Sequence, residues 1–237
     1  MRNAVLVLLL VSATLAAQTV TLHSVVVSGN QATVTYSKDF ATCAHLKLLS
    51  GQLVHTQNHF CTQGTNVAIS VLLTAFNASF QLGTQVILCH GNNSNICSAP
   101  VIITVDPSFV ATPPTISLAA GGTQQLAIGA STLAAGSLYL IAGTMSGTSP
   151  GLSVGIFFVP LNPDFWFTFT LANPNTPPLA GFQGFLDAAG AATATITIPV
   201  GSPPGFAGIV LHHAVGIVTP GGVIVGVSAA ASLTLQP

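Results

Sequence analysis

"LDAAGAATATITIP", Leu186 to Pro199, decides the fold class. Asp187 to Gly190 read as a turn. Beyond it Thr193, Thr195 and Thr197 alternate with Ala194, Ile196 and Ile198, so a two-residue period sends hydroxyls to one face and apolar groups to the other. That is a half-buried strand, and the rest of the chain is written the same way. Short β-branched runs punctuated by Gly, Pro and Asn recur, and no long segment beyond the N-terminus combines helical periodicity with good helix formers. Strands are expected near 20–28, 31–36, 43–49, 53–60, 66–73, 84–90 and 96–105, with "SGNQ" (28–31) as a hairpin turn. Seven short strands in that span match an immunoglobulin- or fibronectin-like sandwich. "DPSFVATPPT" (106–115) is read as a Pro-stiffened linker. The second half restarts with strand-like runs, "DFWFTFTLA" (164–172) among them. The expected fold is therefore all-β with two β-sandwich domains: 18–105, immunoglobulin/fibronectin-like, and 116–237, a second sandwich module.

The N-terminus predicts export. Arg2, the apolar run Ala4–Val11 and the small residues of "SATLAAQ" form a secretory signal, assigned to residues 1–17. The apolar run is too short for a membrane span, and later apolar stretches are interrupted by His, Gly and Ser. The rest of the chain carries Lys38 and Lys47 against Asp39, Asp106, Asp164 and Asp187, with no Glu and no further Arg. So weak a charge excludes a phosphate-binding surface, hence nucleic acid as a partner, and leaves little for acid–base catalysis. It also favours self-association, because net charge does little to keep copies apart.

"TCAHLKLLSGQLVHTQNHFC" (42–61) concentrates what chemistry remains. A hairpin centred on Gln52 sets Cys43 against Cys61, His45 against His59, Lys47 against Gln57 and Leu49 against His55. Cross-strand cysteines can meet disulfide distances. Cys89 and Cys97 flank a Gly/Asn-rich turn, and an even cysteine count in an exported chain favours oxidation. Cys43–Cys61 and Cys89–Cys97 are the expected pairs, and Cys43–Cys89 is the kind of alternative that would pin distant strands. The His45/His59 pair is a weak metal candidate, with His23 or His90 to complete it. Zinc wants a fourth ligand that oxidised cysteines cannot supply, so no metal or other cofactor is expected.

Other candidates are weighed in the same way. In "DFWFTFTLA", read as a strand, Trp166 shares an outward face with Thr168 and Thr170, the kind of platform on which a sugar stacks. "GLSVG" (151–155) matches the nucleophile-elbow pattern, and Asp187 and His212 follow in hydrolase order. Yet a strand, "IFFVPL", follows it where a helix is needed, so no catalytic residue is assigned. His212 and His213 point to opposite faces of a strand, one of them buried and hydrogen-bonded. "NAS" (77–79) and "NNS" (92–94) are glycosylation sequons.

"VTYSKDFATCAHL", "FCTQGTNV" and "LCHGNNSNICS" in the first half resemble exported proteins of planctomycete-type bacteria. So do "ISLAAGGTQQLAI", "SGTSPG", "PLNPD", "NPNTPPLAG", "LDAAGAATATITIP" and "LHHA" in the second, which looks like a C-terminal module attached to many secreted proteins. The resemblance implies β-sandwich modules at the cell exterior and transfers no catalytic or binding residue. The expected function is that of a secreted or cell-surface, non-catalytic structural or interaction protein, with an unknown extracellular protein or glycan as partner. The alternatives are a glycan- or metal-binding module using Trp166 or His45/His59, and, further off, a serine hydrolase.

Overall fold

The structure is a computed structural model and describes residues 18–55, 60–91 and 96–237. The expected signal segment, His59 and the "NNS" sequon lie outside the described residues. The chain is all-β with curled sheets. Six strands form the first half: β1 (Val20–Ser28), β2 (Gln31–Lys38), β3 (Ala44–Leu48), β4 (Gly64–Leu72), β5 (Gln85–His90) and β6 (Val101–Val105). Their order is β3-β5-β6-β1-β2-β4, with β1 parallel to β6 and the other neighbours antiparallel. Val25, Val27, Ala32, Val34 and Tyr36 are buried while their chain neighbours look outward, the period-2 pattern of their sequence. Gly29, at φ +54°, turns β1 into β2.

Among the described residues of the expected strand 53–60, only isolated bridges form, at Leu53, His55 and Phe60. Ala44 faces Phe60, the register of a turn at Gln52, but Lys47 faces Leu53, four residues away from its expected partner Gln57. The reason is His55. Its Nε2 accepts the Leu46 N–H at 3.0 Å, so a side chain stands where a strand would offer a carbonyl. His55 then bridges to Phe76 rather than continuing the hairpin.

The second half contains β7 (Ser108–Thr112), β8 (Thr115–Ser117), β9 (Gly122–Gly129), β10 (Leu138–Thr144), β11 (Leu152–Val154) and β12 (Phe157–Val159). After these come α1 (Phe165–Ala172), β13 (Leu179–Ala180), β14 (Gln183–Phe185), β15 (Ala191–Ile198), β16 (Val210–Val218), β17 (Ile224–Val227) and β18 (Ala231–Gln236). One sheet runs β13-β15-β9-β7, another β14-β10-β16-β18-β8 with β17 on β16, and β11 and β12 form a separate hairpin. Much of the expected linker 106–115 is thus strand. Its prolines block the ladder only at their own positions, and Pro113-Pro114 lets the chain leave β9 in one sheet and join β18 in the other. The Gln124 amide clasps this crossing, donating to the Pro113 and Ser232 carbonyls at 2.7 and 3.1 Å.

In "LDAAGAATATITIP" Asp187 Oδ1 accepts the Ala189 and Ala191 N–H groups at 2.8 and 2.9 Å. Gly190, at φ +75°, passes so close to Ser131 that a Cβ would strike its carbonyl. Ala194 and Ile196 are buried, and Thr197 pairs with Thr123 across β9 at 3.1 Å.

The two halves share one pairing motif, although the first is a single six-stranded sheet and the second is divided among three. β1 is parallel to β6 as β8 is to β18, and each of those last strands is antiparallel to an earlier one, β5 or β16. A serine corner repeats too. Leu88 N–H donates to Ser98 Oγ at 3.0 Å, and that hydroxyl donates to Ala99 O at 2.8 Å. Val215, Ser228 and Ala229 make the same two bonds at 3.0 and 2.8 Å. One buried apolar cluster is continuous from Val20 to Leu235, and β17 packs against β6 where the halves meet.

Candidate functional site

The His-rich segment comes first. Cys43 is bonded to Cys61 and Cys89 to Cys97. The ring stacked on His45, with centroids 5.5 Å apart, is that of His55. Desolvation, then the nearby Lys47, pushes the His45 pKa down, and its buried Nδ1 has no hydrogen-bond partner. His90 meets Thr42 Oγ1 at 2.9 Å and packs on Phe40, and His23 meets Ser37 Oγ at 2.7 Å. Among the described residues no three His, Cys, Asp or Glu side chains gather to hold a metal ion. Lys38, unremarked in the sequence, is buried beside this segment. Its ammonium donates to the carbonyls of Phe40, Thr42 and Cys61 at 2.8, 2.7 and 3.0 Å and lies 4.7 Å from the Phe40 ring centroid. Desolvation lowers its pKa. The cation ties together the loops on either side of the disulfide.

Trp166 is not on a strand, and this corrects the expected sugar platform. "FWFTFTLA" is helix α1, capped by Asp164, whose Oδ1 accepts the Phe167 N–H at 2.8 Å. Trp166 packs inward, stacked on Phe169, and its indole Nε1 donates to His213 Nε2 at 3.1 Å. Accepting there fixes the His213 proton on Nδ1, which is buried without a partner. Burial, then His212, pushes the His213 pKa down to about 3, so the ring is neutral. Gly143 makes the arrangement possible, because a Cβ there would come within 2.6 Å of both rings. Asp164 Oδ2 also takes the Thr144 hydroxyl and the Met145 and Ser146 N–H groups at 2.7–2.9 Å. Desolvation raises its pKa, but the bonds from Phe167, Thr144, Met145 and Ser146 together outweigh it and hold the carboxyl well below the usual range. Asn162 completes the clamp, donating to the Ser146 and Ser149 carbonyls and accepting the Gly151 N–H. "PLNPD" and "SGTSPG" are thus two sides of one loop anchor.

The hydrolase candidates do not converge. Ser153 is exposed on β11, opposite Phe158 in a two-stranded hairpin, with no helix after it. Asp187 lies beyond Phe185, which pairs with Leu138 at one end of β10, whereas His212 pairs with Thr144 at the other. At the rise of an extended strand, that separates them by about 20 Å.

A cleft of about 700 Å³ lies elsewhere, between the two halves. One wall is Phe76, Asn77, Ala78 and Gln81, and the other is Thr132, Ala135 and the Thr219–Gly221 turn. Phe76 is half-buried and stacks on Phe80 with centroids 4.0 Å apart. Among the described residues no charged side chain lines the cleft. Sequence reasoning missed it because its walls come from loops far apart in the chain.

No protein-family model and no curated protein matches the chain. Among solved structures, the adhesin InvE of Yersinia pseudotuberculosis aligns over 93% of this chain and 59% of its own, at 13% identity and a TM-score of 0.29. That likeness is too slight to bear on function.

Proposed function

We propose that this is an exported, non-catalytic structural or interaction protein of two immunoglobulin-like sandwiches. In this reading β1, β2 and β4 face β3, β5 and β6 in the first module, over 18–105. The second begins at β7 rather than after a linker and runs to residue 237. One observation carries the proposal: Lys38, Asp164 and His213, three of the few side chains capable of chemistry, are already committed to holding the sheets. Lys38 saturates three carbonyls, Asp164 four donors and His213 an indole, in a frame cross-linked by two disulfides. Disulfides persist outside the reducing cytosol, which supports an extracellular address, as does the resemblance to exported planctomycete-type proteins. The test is intact mass of protein collected outside a secreting host, with alkylation before and after reduction. The expected product has lost residues 1–17 and blocks no cysteine until reduced. Retention inside the cell with four alkylatable thiols would overturn the reading.

A further inference from the structure

We propose that the cleft between the two halves binds a neutral oligosaccharide, an inference that rests on the extracellular reading above. Its volume of about 700 Å³ falls within the roughly 300–1,000 Å³ typical of small-ligand sites, which gather where domains meet. The chemistry of its walls selects the ligand. Two smaller crevices, of about 210 and 220 Å³, are lined almost wholly by carbon and offer little to orient a polar molecule. The cleft instead combines the exposed Gln81 amide, whose Nε2 also reaches the Ala78 carbonyl at 3.2 Å, with hydroxyls of Thr84 and Thr132 and with backbone of the Thr219–Gly221 turn. The Asn77 amide is held by Leu53 and Ser79. Amides and hydroxyls both donate and accept, matching sugar hydroxyls that do the same. Phe76, backed by Phe80, supplies a fixed aromatic surface for the C–H face of a pyranose ring. With no Lys, Arg, Asp, Glu or His among the described residues of the lining, these walls offer no charge to a carboxylate, sulfate or ammonium, so uronic and sulfated chains are disfavoured. The site depends on both halves, since Gly83 brings the first wall against Thr219, Val223 and Val225 of the second.

Native affinity electrophoresis of the secreted, oxidised protein tests this, with hydroxyethylcellulose, xyloglucan, barley β-glucan and galactomannan in the gel and polygalacturonate as the charged control. At least one neutral polysaccharide should retard the wild type, and polygalacturonate should not. Ala135→Trp, which fills the cleft from an exposed position, should weaken that binding at least tenfold. Phe76→Ala should do the same, and Gln81→Ala should weaken it severalfold. Phe158→Ala, an exposed aromatic outside the cleft, should leave it unchanged. Retardation that survives Ala135→Trp and Phe76→Ala, or is seen only with polygalacturonate, or is lost with Phe158→Ala, overturns the site. So does an absence of retardation by all four neutral chains. In each case correct export and oxidation would leave the wider reading standing.

Discussion

A neutral imidazole in a dry interior makes this protein acid-sensitive. His213 stays unprotonated in the fold down to about pH 3, whereas an exposed histidine takes a proton near pH 6.5. Below pH 6.5 the unfolded chain therefore binds more protons than the native one, and stability falls as pH falls. The loss should be about 1.4 kcal/mol per pH unit from 6.5 toward 3. Urea unfolding between pH 7 and pH 5 should show it, and His213→Gln, which leaves Trp166 an acceptor but cannot titrate, should flatten the slope. An unchanged slope in that variant would place the acid sensitivity elsewhere. Lys38 gives a second test at this scale. Lys38→Met keeps the aliphatic bulk but strips the donor from three carbonyls, and should cost about 2–4 kcal/mol. A loss below about 0.5 kcal/mol, the level of an ordinary surface change, would mean water replaces the ammonium.

Among the elements, α1 is where composition misled. Phe, Trp and Thr are strand formers and "FWFTFT" alternates, so a pattern of period two is what the residues offer by themselves. The helix wins through its neighbours. Asp164 caps it and simultaneously binds the 144–146 loop, while Thr170 Oγ1 accepts the Gly143 N–H at 2.9 Å from β10. The local signal was Pro163-Asp164 ahead of the apolar run, a helix start that alternation concealed. Asp164→Ala should thus cost more than a simple cap, about 2–3 kcal/mol in denaturant unfolding. Asp164→Ser, which restores only the cap, should recover less than half. By contrast β15 was legible in full, because its turn chemistry and alternation are local and agree. The hairpin after β3 was legible only at its ends. The disulfide bond and the Ala44–Phe60 pair follow from spacing, but His55 entering the ladder depends on Leu46 offering a free N–H, which no periodicity reveals. The disulfides themselves close loops of 18 and 8 residues, so reduction should remove about 3 and about 2.5 kcal/mol by the chain-entropy relation. Single Cys-to-Ser pairs compared by denaturation measure each, and the Cys43/Cys61 pair should show the larger loss.

Taken whole, the molecule is two halves that share a strand-pairing motif, β1 with β6 and β8 with β18, and one buried apolar cluster. The same buried cluster holds Val105 of β6 and Val225 of β17, and a Cβ on Gly226 would collide with the Val105 carbonyl and side chain and crowd the Pro107 ring. None of this was legible in sequence, where 106–115 reads as a spacer and Gly226 as one glycine among many. The contact has an energetic consequence. Two modules sharing buried surface unfold together, whereas two modules on a linker unfold apart. The wild type should therefore give one calorimetric transition. Gly226→Val forces β17 off β6 without touching the hydrogen bonds within either half, so it should split that transition into two, the lower of them shifted down by several degrees. It should also abolish the retardation by neutral polysaccharides expected of the cleft, since both walls would remain folded but no longer face each other. One undisturbed transition in the variant would mean that the coupling does not run through Gly226, and two transitions in the wild type would mean that the halves are energetically independent. The cleft would then be a contact without rigidity, and the shared pairing motif would be the larger part of what holds each half together.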